Sequence, residues 1–299
     1  MIAPLDFIAS EDDMLDGVIL TWFILTALSV AFVAIDIRST PESPVLKWGF
    51  VLVTLFTGPI GAMLYVLGCR EPLPGTHEQY VAAPWRQTLG STMHCVAGDG
   101  IGILAGAVLG GFLMMPPALD IAIEYILGFG FGLGIFQALF MRDMVGGSYT
   151  KALAASFIPE LTSMNCLMAG MIPVAMIFKS RVPGSASPGS AAFWFIMSMA
   201  LLAGFIAAYP MNWWLVANKL KHGMLTVRPA SEGGEHEKMA AMPEMQHGVH
   251  GSGHQMASME EHSMPAVPGS TIAMVVVLSF AIMAAGIAIA IVFMQGTAQ

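Results

Sequence analysis

Long apolar runs with almost no charged residue recur along this sequence, and they limit what the chain can fold into. A helix needs about 20 mostly apolar residues to cross the roughly 30 Å of hydrocarbon in a bilayer. Only 11% of the residues are charged, whereas soluble domains carry about 25%. The runs are continuous rather than alternating, which favours helices over a closed barrel. We therefore expect an all-α polytopic transmembrane helix bundle of about seven spans, at residues 17–37, 45–68, 95–115, 119–141, 150–178, 191–217 and 270–294.

Proline and glycine breakers separate these runs and divide the chain into three parts. A transmembrane domain with the first six spans is predicted over residues 1–230, a flexible polar segment over 231–269, and the last transmembrane helix with a short tail over 270–299. The pair Pro116-Pro117 leaves almost no loop between the third and fourth spans. These two spans should therefore form a tight antiparallel hairpin.

Glycines at four-residue spacing support that hairpin. In the third span they are Gly98, Gly102, Gly106 and Gly110, and in the fourth they form the pairs Gly128/Gly132 and Gly130/Gly134. Small residues at this spacing let two helix backbones approach closely, which replaces hydrophobic packing in a lipid environment. The pattern predicts close helix contact and needs no further function.

Lysine and arginine placement indicates the orientation, because cytoplasmic loops carry an excess of these residues. With seven spans, the side of the N-terminus would hold eight of them: Arg70, Arg86, Arg142, Lys151, Lys219, Lys221, Arg228 and Lys238. The other side would hold four: Arg38, Lys47, Lys179 and Arg181. The expectation is a cytoplasmic N-terminus and an outer C-terminus.

The polar segment before the last span contains the strongest chemical signal. Over residues 235–264, here called the His/Met segment, there are five histidines (His236, His247, His250, His254 and His262) and six methionines (Met239, Met242, Met245, Met256, Met259 and Met264). A segment without core-forming aromatics does not need six methionines for packing. Thioether sulfur selects Cu(I), and imidazole suits copper, zinc and nickel. The alternative is a disordered linker of low complexity; we expect a flexible, multi-site copper collector.

The fifth span carries a second candidate site at membrane depth. Glu160, Met164, Met168 and Met171 share one helical face. An ionisable residue in a span must face the bundle interior or water, whereas methionine in an apolar helix is often simple packing. Pro159 and Pro173, within the same run, predict a kink or a tilt.

A third constellation opens the third span, where His94, Cys95 and Asp99 occur within six residues. Cys95 and Asp99 are four apart and therefore lie on one face of a helix. Imidazole, thiolate and carboxylate could together ligate a metal, although the spacing is no recognised zinc signature. The alternative is a polar helix end without a ligand. Further interior polar candidates are Glu124, Gln137 and Asn212.

Three segments carry a resemblance to a known family. They are His94–Asp99 (HCVAGD), Met164–Pro173 (MNCLMAGMIP) and Tyr209–Val216 (YPMNWWLV), followed by Lys221-His222-Gly223-Met224. Over roughly residues 85–225 the chain resembles a family of bacterial multi-pass membrane proteins that is catalogued as a domain of unknown function. The resemblance implies a multi-pass protein of the bacterial inner membrane and carries no activity with it.

Copper handling is the function that these features favour. The His/Met segment would capture copper, and an intramembrane site built from His94, Cys95, Asp99, Glu160, Met164, Met168, Met171 and Asn212 would transport, store or deliver it. A copper-dependent enzyme or a periplasmic copper protein is the expected partner, beside the lipid bilayer. No basic patch suggests nucleic acid, and no catalytic motif is present, so we do not expect an enzyme. The alternative is a structural or assembly subunit of a membrane complex without a metal role.

Overall fold

The regular structure of the chain is helical throughout the part that can be described. The computed structural model describes residues 11–142, 147–223, 225 and 267–296. The helices are α1 (Glu11–Asp36), α2 (Pro44–Thr57), α3 (Pro59–Gly68), α4 (His77–Val81), α5 (Pro84–Leu113), α6 (Pro117–Phe131), a π-helical turn (Gly132–Gln137), α7 (Ala138–Arg142), α8 (Tyr149–Arg181), α9 (Ala191–Ala217) and α10 (Gly269–Gly296). The predicted all-α helix bundle is confirmed, and the chain is a membrane protein.

Six continuous helical stretches among the described residues are long and apolar enough to cross a membrane. The expected count of seven spans is corrected to six for these residues. The six stretches are Met14–Asp36, Pro84–Leu113, Pro117–Arg142, Tyr149–Arg181, Ala191–Ala217 and Gly269–Gln295. The region 45–68, expected as one span, is broken between α2 and α3. With 14 residues, α2 is about 21 Å long, which is too short for about 30 Å of hydrocarbon.

Gly58 makes the break by adopting a φ of 60°, a conformation that glycine reaches without strain. After Gly58, α3 runs back along α2. The two helices are close at Gly61, where an added Cβ would lie 2.6 Å from the Thr54 Cα. The far end of α3 returns to the start of α2 and the end of α1, where the Tyr65 hydroxyl donates to Asp36 Oδ2 at 2.8 Å. The two short helices therefore enter and leave the bundle at the same end.

The hairpin predicted at Pro116-Pro117 is confirmed. Its two arms are α5 and α6, and α5 ends where Met114 takes a φ of 49°. The glycines of α5 face α6: Gly102 lies against the Leu127 carbonyl, and a Cβ on Gly106 would lie 2.7 Å from the Glu124 Cα. Close backbone contact, rather than side-chain interdigitation, therefore holds this pair together.

The contacts between helices fix which helix ends lie together. α8 and α9 are antiparallel neighbours, since Gly204 packs on Leu167. α10 runs parallel to α8, because two contacts advance along both helices in the same direction. Asn165 donates a hydrogen bond to Ser279, and Gly286 packs on Ala169. One end of the bundle therefore contains the ends of α1, α3, α7 and α9 and the starts of α2, α5, α8 and α10, and we call it the basic end. The other is the opposite end.

Helices α5, α8 and α9 form the centre of the bundle. About half of each is buried, whereas α1, α6 and α10 expose most of their apolar side chains outward. Apolar exposure on the outer helices is expected in lipid, which is as apolar as leucine itself. α8 stays one helix of 33 residues with Pro159 and Pro173 inside it, and the predicted kink or tilt stays a prediction.

Candidate functional site

Five polar side chains converge at the basic end of the bundle, and we call them the Lys221 cluster: Cys95, Gln137, Glu160, Asn212 and Lys221. The Lys221 ammonium donates to Cys95 Sγ at 2.6 Å, to Asn212 Oδ1 at 2.9 Å and to Glu160 Oε2 at 3.3 Å. Gln137 Nε2 also donates to Cys95 Sγ, at 2.8 Å. The cluster is closed to solvent, because the Glu160 side chain is 0% exposed and that of Lys221 only 4%.

Each member comes from a different part of the fold. α5 supplies Cys95, α8 supplies Glu160 and α9 supplies Asn212, whose amide donates to Ser163 Oγ at 2.9 Å. Gln137 is the last residue of the π-helical turn. Such turns are rare and often occur at functional sites, because the extra residue turns a side chain that a regular α-helix would direct elsewhere.

Lys221 reaches the cluster because the chain turns back on itself after α9. Lys219 adopts a left-handed φ of 56°, and the amides of Leu220 and Lys221 both donate to the Leu215 carbonyl. This is the kind of left-handed closure that ends many helices. Burial by itself lowers the pKa of Lys221, but Cys95 and Glu160 raise it by more, so its pKa stands above that of an exposed lysine.

A second buried carboxyl, Asp99, lies one turn further along α5. One Asp99 oxygen and Glu160 Oε1 both face the Cα of Gly132, so the two carboxyl groups are close neighbours. Both Asp99 oxygens and Glu160 Oε1 lack a hydrogen-bond partner, and both residues are 0% exposed. One ammonium can compensate only one anion, and an uncompensated buried charge is costly. The two carboxyl groups therefore compete for one counter-charge.

His94 does not join this cluster, although it precedes Cys95 in the sequence. Its Nε2 lies 3.2 Å from the Phe136 carbonyl in the π-helical turn, and its ring packs between Phe136 and Phe140. Adjacent residues point about 100° apart on a helix, which explains the separation. His94 therefore holds the π-helical turn against α5.

The methionines of α8 face inward, on the same side of the helix as Glu160. Met164, Met168 and Met171 are at most 1% exposed, and Met164 lies near Gly128 on the same side as the Asp99 carbonyl. The stripe therefore extends from the Lys221 cluster towards the opposite end and does not face lipid.

Other polar side chains of the bundle belong to separate contacts. Asn165 accepts a bond from Tyr125 and donates to Ser279, which ties α8 to α6 and α10. Glu124 lies near the opposite end, 3.9 Å from Lys179. The three cysteines are free and buried.

Two parts of the site were not predicted as such. Lys221 was expected to be a loop charge, and Ser163 was not considered, although it accepts the hydrogen bond that orients Asn212. The conspicuous local signal was the run of residues from Lys221 to Met224 that carries part of the family resemblance.

The His/Met segment lies outside the described residues, so its predicted ligands, His236, Met239, Met242, Met245, His247, His250, His254, Met256, Met259, His262 and Met264, stay predictions. Within the residues that the structure does describe, no group of three or more His, Cys, Asp or Glu side chains is placed to hold a metal ion. In the Lys221 cluster the central position between Cys95 Sγ, Glu160 Oε2 and Asn212 Oδ1 is taken by the ammonium instead.

The fold and the site together define a multi-span helical membrane protein with a buried, lysine-centred polar cluster. A family model described as Domain of unknown function (DUF4396) matches residues 84–221, which confirms the expected resemblance to a domain family of unknown function over roughly residues 85–225. The match begins with α5 and ends on Lys221, so it includes the whole Lys221 cluster. No match was found among curated proteins or among solved structures.

Proposed function

We propose that this chain is a copper-handling membrane protein, in which the His/Met segment captures Cu(I) and the Lys221 cluster receives it. The observation that carries the proposal is positional. α9 ends and α10 begins at the basic end of the bundle, which is also where Lys221 lies. The chain between these helices therefore starts and finishes at the same end of the bundle as the cluster, and the His/Met segment is part of that connection.

The chemistry of the Lys221 cluster suits a soft cation of single charge. Sulfur from Cys95 is a ligand that Cu(I) prefers, because soft sulfur ligands select this ion over harder ones. Lys221 already places one positive charge among Cys95, Glu160 and Asn212. If Lys221 withdrew and Cu(I) took its position, the Cys95 thiol proton could pass to Glu160 Oε2, to which Cys95 Sγ donates at 3.3 Å. The buried charge would then be unchanged, so the exchange avoids the cost of an unpaired ion. A divalent ion would add a charge.

The proposed membrane orientation uses the six crossings of the described residues. Among the described residues, eight basic side chains lie at the basic end, namely Arg38, Lys47, Arg70, Arg86, Arg142, Lys151, Lys219 and Lys221, and two lie at the opposite end, Lys179 and Arg181. The excess of lysine and arginine favours a cytoplasmic basic end.

With six crossings, the start of α1 and the end of α10 would both lie outside, whereas seven spans predicted a cytoplasmic N-terminus. The His/Met segment stays on the cytoplasmic side. A reducing compartment keeps copper as Cu(I) and the buried cysteines as thiols. The membrane is proposed to be the bacterial inner membrane, where a copper-dependent enzyme or a periplasmic copper protein would accept the delivered ion.

Metal analysis of the detergent-purified full chain tests the proposal. The wild-type chain is compared with a variant that we call the loop variant. In it, the six methionines of the His/Met segment are replaced by leucine and its five histidines by glutamine. Cells grown with added copper should yield wild-type protein that carries copper and loop variant that carries much less, at equal expression.

Cys95→Ser is the second arm, with Cys166→Ser as its matched control, because both thiols are buried and only Cys95 contacts Lys221. Cys95→Ser should lower the copper content and Cys166→Ser should not. Wild-type protein that carries no copper would contradict the proposal and favour the alternative function, a structural or assembly subunit of a membrane complex.

A further inference from the structure

A cavity of about 640 Å³ lies at the opposite end of the bundle, between the α5–α6 hairpin, α8, α10 and the connection from α8 to α9. Five methionines are among its lining residues: Met114, Met115, Met171, Met176 and Met294. Methionine is thus concentrated here relative to the whole chain, which has 25 in 299 residues. We call this space the methionine cavity.

The wall of the methionine cavity also carries charge. Asp120 and Glu124 from α6 and Lys179 from α8 line it. The Lys179 ammonium stands 3.7 Å from Asp120 Oδ2 and 3.9 Å from Glu124 Oε1, beyond the distance of a good hydrogen bond. Asp120 Oδ1 is buried and has no hydrogen-bond partner. Two carboxyl groups therefore share one loosely placed ammonium, and with both ionised the wall is net negative.

Helix α8 connects the methionine cavity to the Lys221 cluster. Met171 lines the cavity, and it is the last member of the buried stripe that begins at Glu160 and continues through Met164 and Met168. Glu160 and Met171 are eleven positions apart in the helix, which is about 16 Å along the axis. Buried thioethers from Met164 to Met171 therefore cover about 10 Å of the helix axis between the cluster and the cavity.

We propose that the methionine cavity is a second binding site for a soft monovalent cation, Cu(I) or its analogue Ag(I), at the end of the bundle remote from the His/Met segment. The inference rests on the proposed function, because that function supplies a soft cation as cargo. Thioether sulfur binds such ions and disfavours hard ones. The carboxyl groups of Asp120 and Glu124 supply the attraction for a positive charge that neutral sulfur lacks.

A second site at the opposite end would give copper movement a direction across the membrane. Copper captured at the basic end would be held again at the opposite end, which favours passage through the membrane over storage on one side. A purely apolar groove for a lipid tail would have no need for Asp120, Glu124 and Lys179 in its wall.

Silver binding to the purified full chain tests this site. The background is the loop variant that also carries Cys95→Ser, so that neither the His/Met segment nor the Lys221 cluster can hold the probe. Titration with Ag(I) against a competing chelator should still show about one bound ion per chain. Adding Met171→Leu and Met176→Leu should weaken that binding at least tenfold, because two cavity thioethers are lost.

Met63→Leu with Met274→Leu is the matched control, since both side chains are exposed at the outer surface, at 52% and 63%, and neither lines the cavity. This pair should leave the affinity unchanged. Glu124→Gln, which keeps the shape, should also weaken binding, so a folding defect in the leucine pair cannot by itself decide the result.

The outcomes separate this inference from the proposed function. Silver bound by the wild-type chain but not by the background variant would overturn the methionine cavity as a site and leave capture by the His/Met segment intact. A background variant whose binding is unaffected by the Met171 and Met176 substitutions would overturn it as well. No silver bound by the wild-type chain would overturn both.

Discussion

Replacing Lys221 with leucine should strongly destabilise the protein. The substitution removes the ammonium that donates to Cys95, Asn212 and Glu160 and leaves Glu160 at 0% exposure without a counter-charge. Removing one partner of a buried ion pair costs about 3–5 kcal/mol. For a domain of comparable size each kcal/mol lowers the melting temperature by roughly 2–4 °C, so we expect a loss of about 6–20 °C in detergent, measured by intrinsic tryptophan fluorescence.

Two further variants test whether the loss of stability is specific to the buried Lys221–Glu160 pair. Lys219→Leu removes an exposed lysine two residues earlier and should change stability by no more than about 0.5 kcal/mol. Glu160→Gln added to Lys221→Leu should recover much of the loss, because a neutral pair replaces an unpaired charge. The reasoning is refuted if Lys221→Leu melts with the wild type, or if the double variant is less stable than Lys221→Leu alone.

Three other results are expected. Gly106→Ala should cost about 1–3 kcal/mol in thermal unfolding because its Cβ would meet the Glu124 backbone, whereas Gly130→Ala, with open space beside it, should be neutral or stabilising; equal effects would exclude close packing of the hairpin. A synthetic peptide covering 235–264 should bind Cu(I) and lose affinity when its methionines become leucine; unchanged affinity would exclude thioether ligation. Reporter fusions should place both termini on the outer side of the membrane, and termini on different sides would contradict six crossings.

Local signals in the sequence were enough for the hairpin and for the inward methionine face. Pro116-Pro117 and the glycines of α5 act on their immediate neighbours, so their consequences do not depend on the rest of the fold. The same kind of signal was present at Gly58-Pro59, a dipeptide typical of turns. Averaging hydropathy over a span-length window hides it, which is why 45–68 was expected to cross the membrane.

The composition of the Lys221 cluster could be predicted only in part. Cys95, Glu160 and Asn212 stood out because polar groups inside apolar helices need partners. Lys221 did not, because a lysine just beyond a helix end is normally solvated or near lipid headgroups. Its burial depends on the left-handed Lys219 and on the packing of α9, which are tertiary features. His94 shows the converse, since proximity in sequence to Cys95 did not make it a neighbour in space.

The central claim is that Lys221 holds the position that Cu(I) would take, and a competition titration of Cu(I) against a chromophoric chelator tests it most directly. The measurement uses the loop variant of the full chain, with and without Lys221→Leu. Removing the competing ammonium should tighten one Cu(I) site at least tenfold, and Cys95→Ser in the same chain should abolish that gain. An affinity that Lys221→Leu leaves unchanged, or a gain that survives Cys95→Ser, would contradict the account.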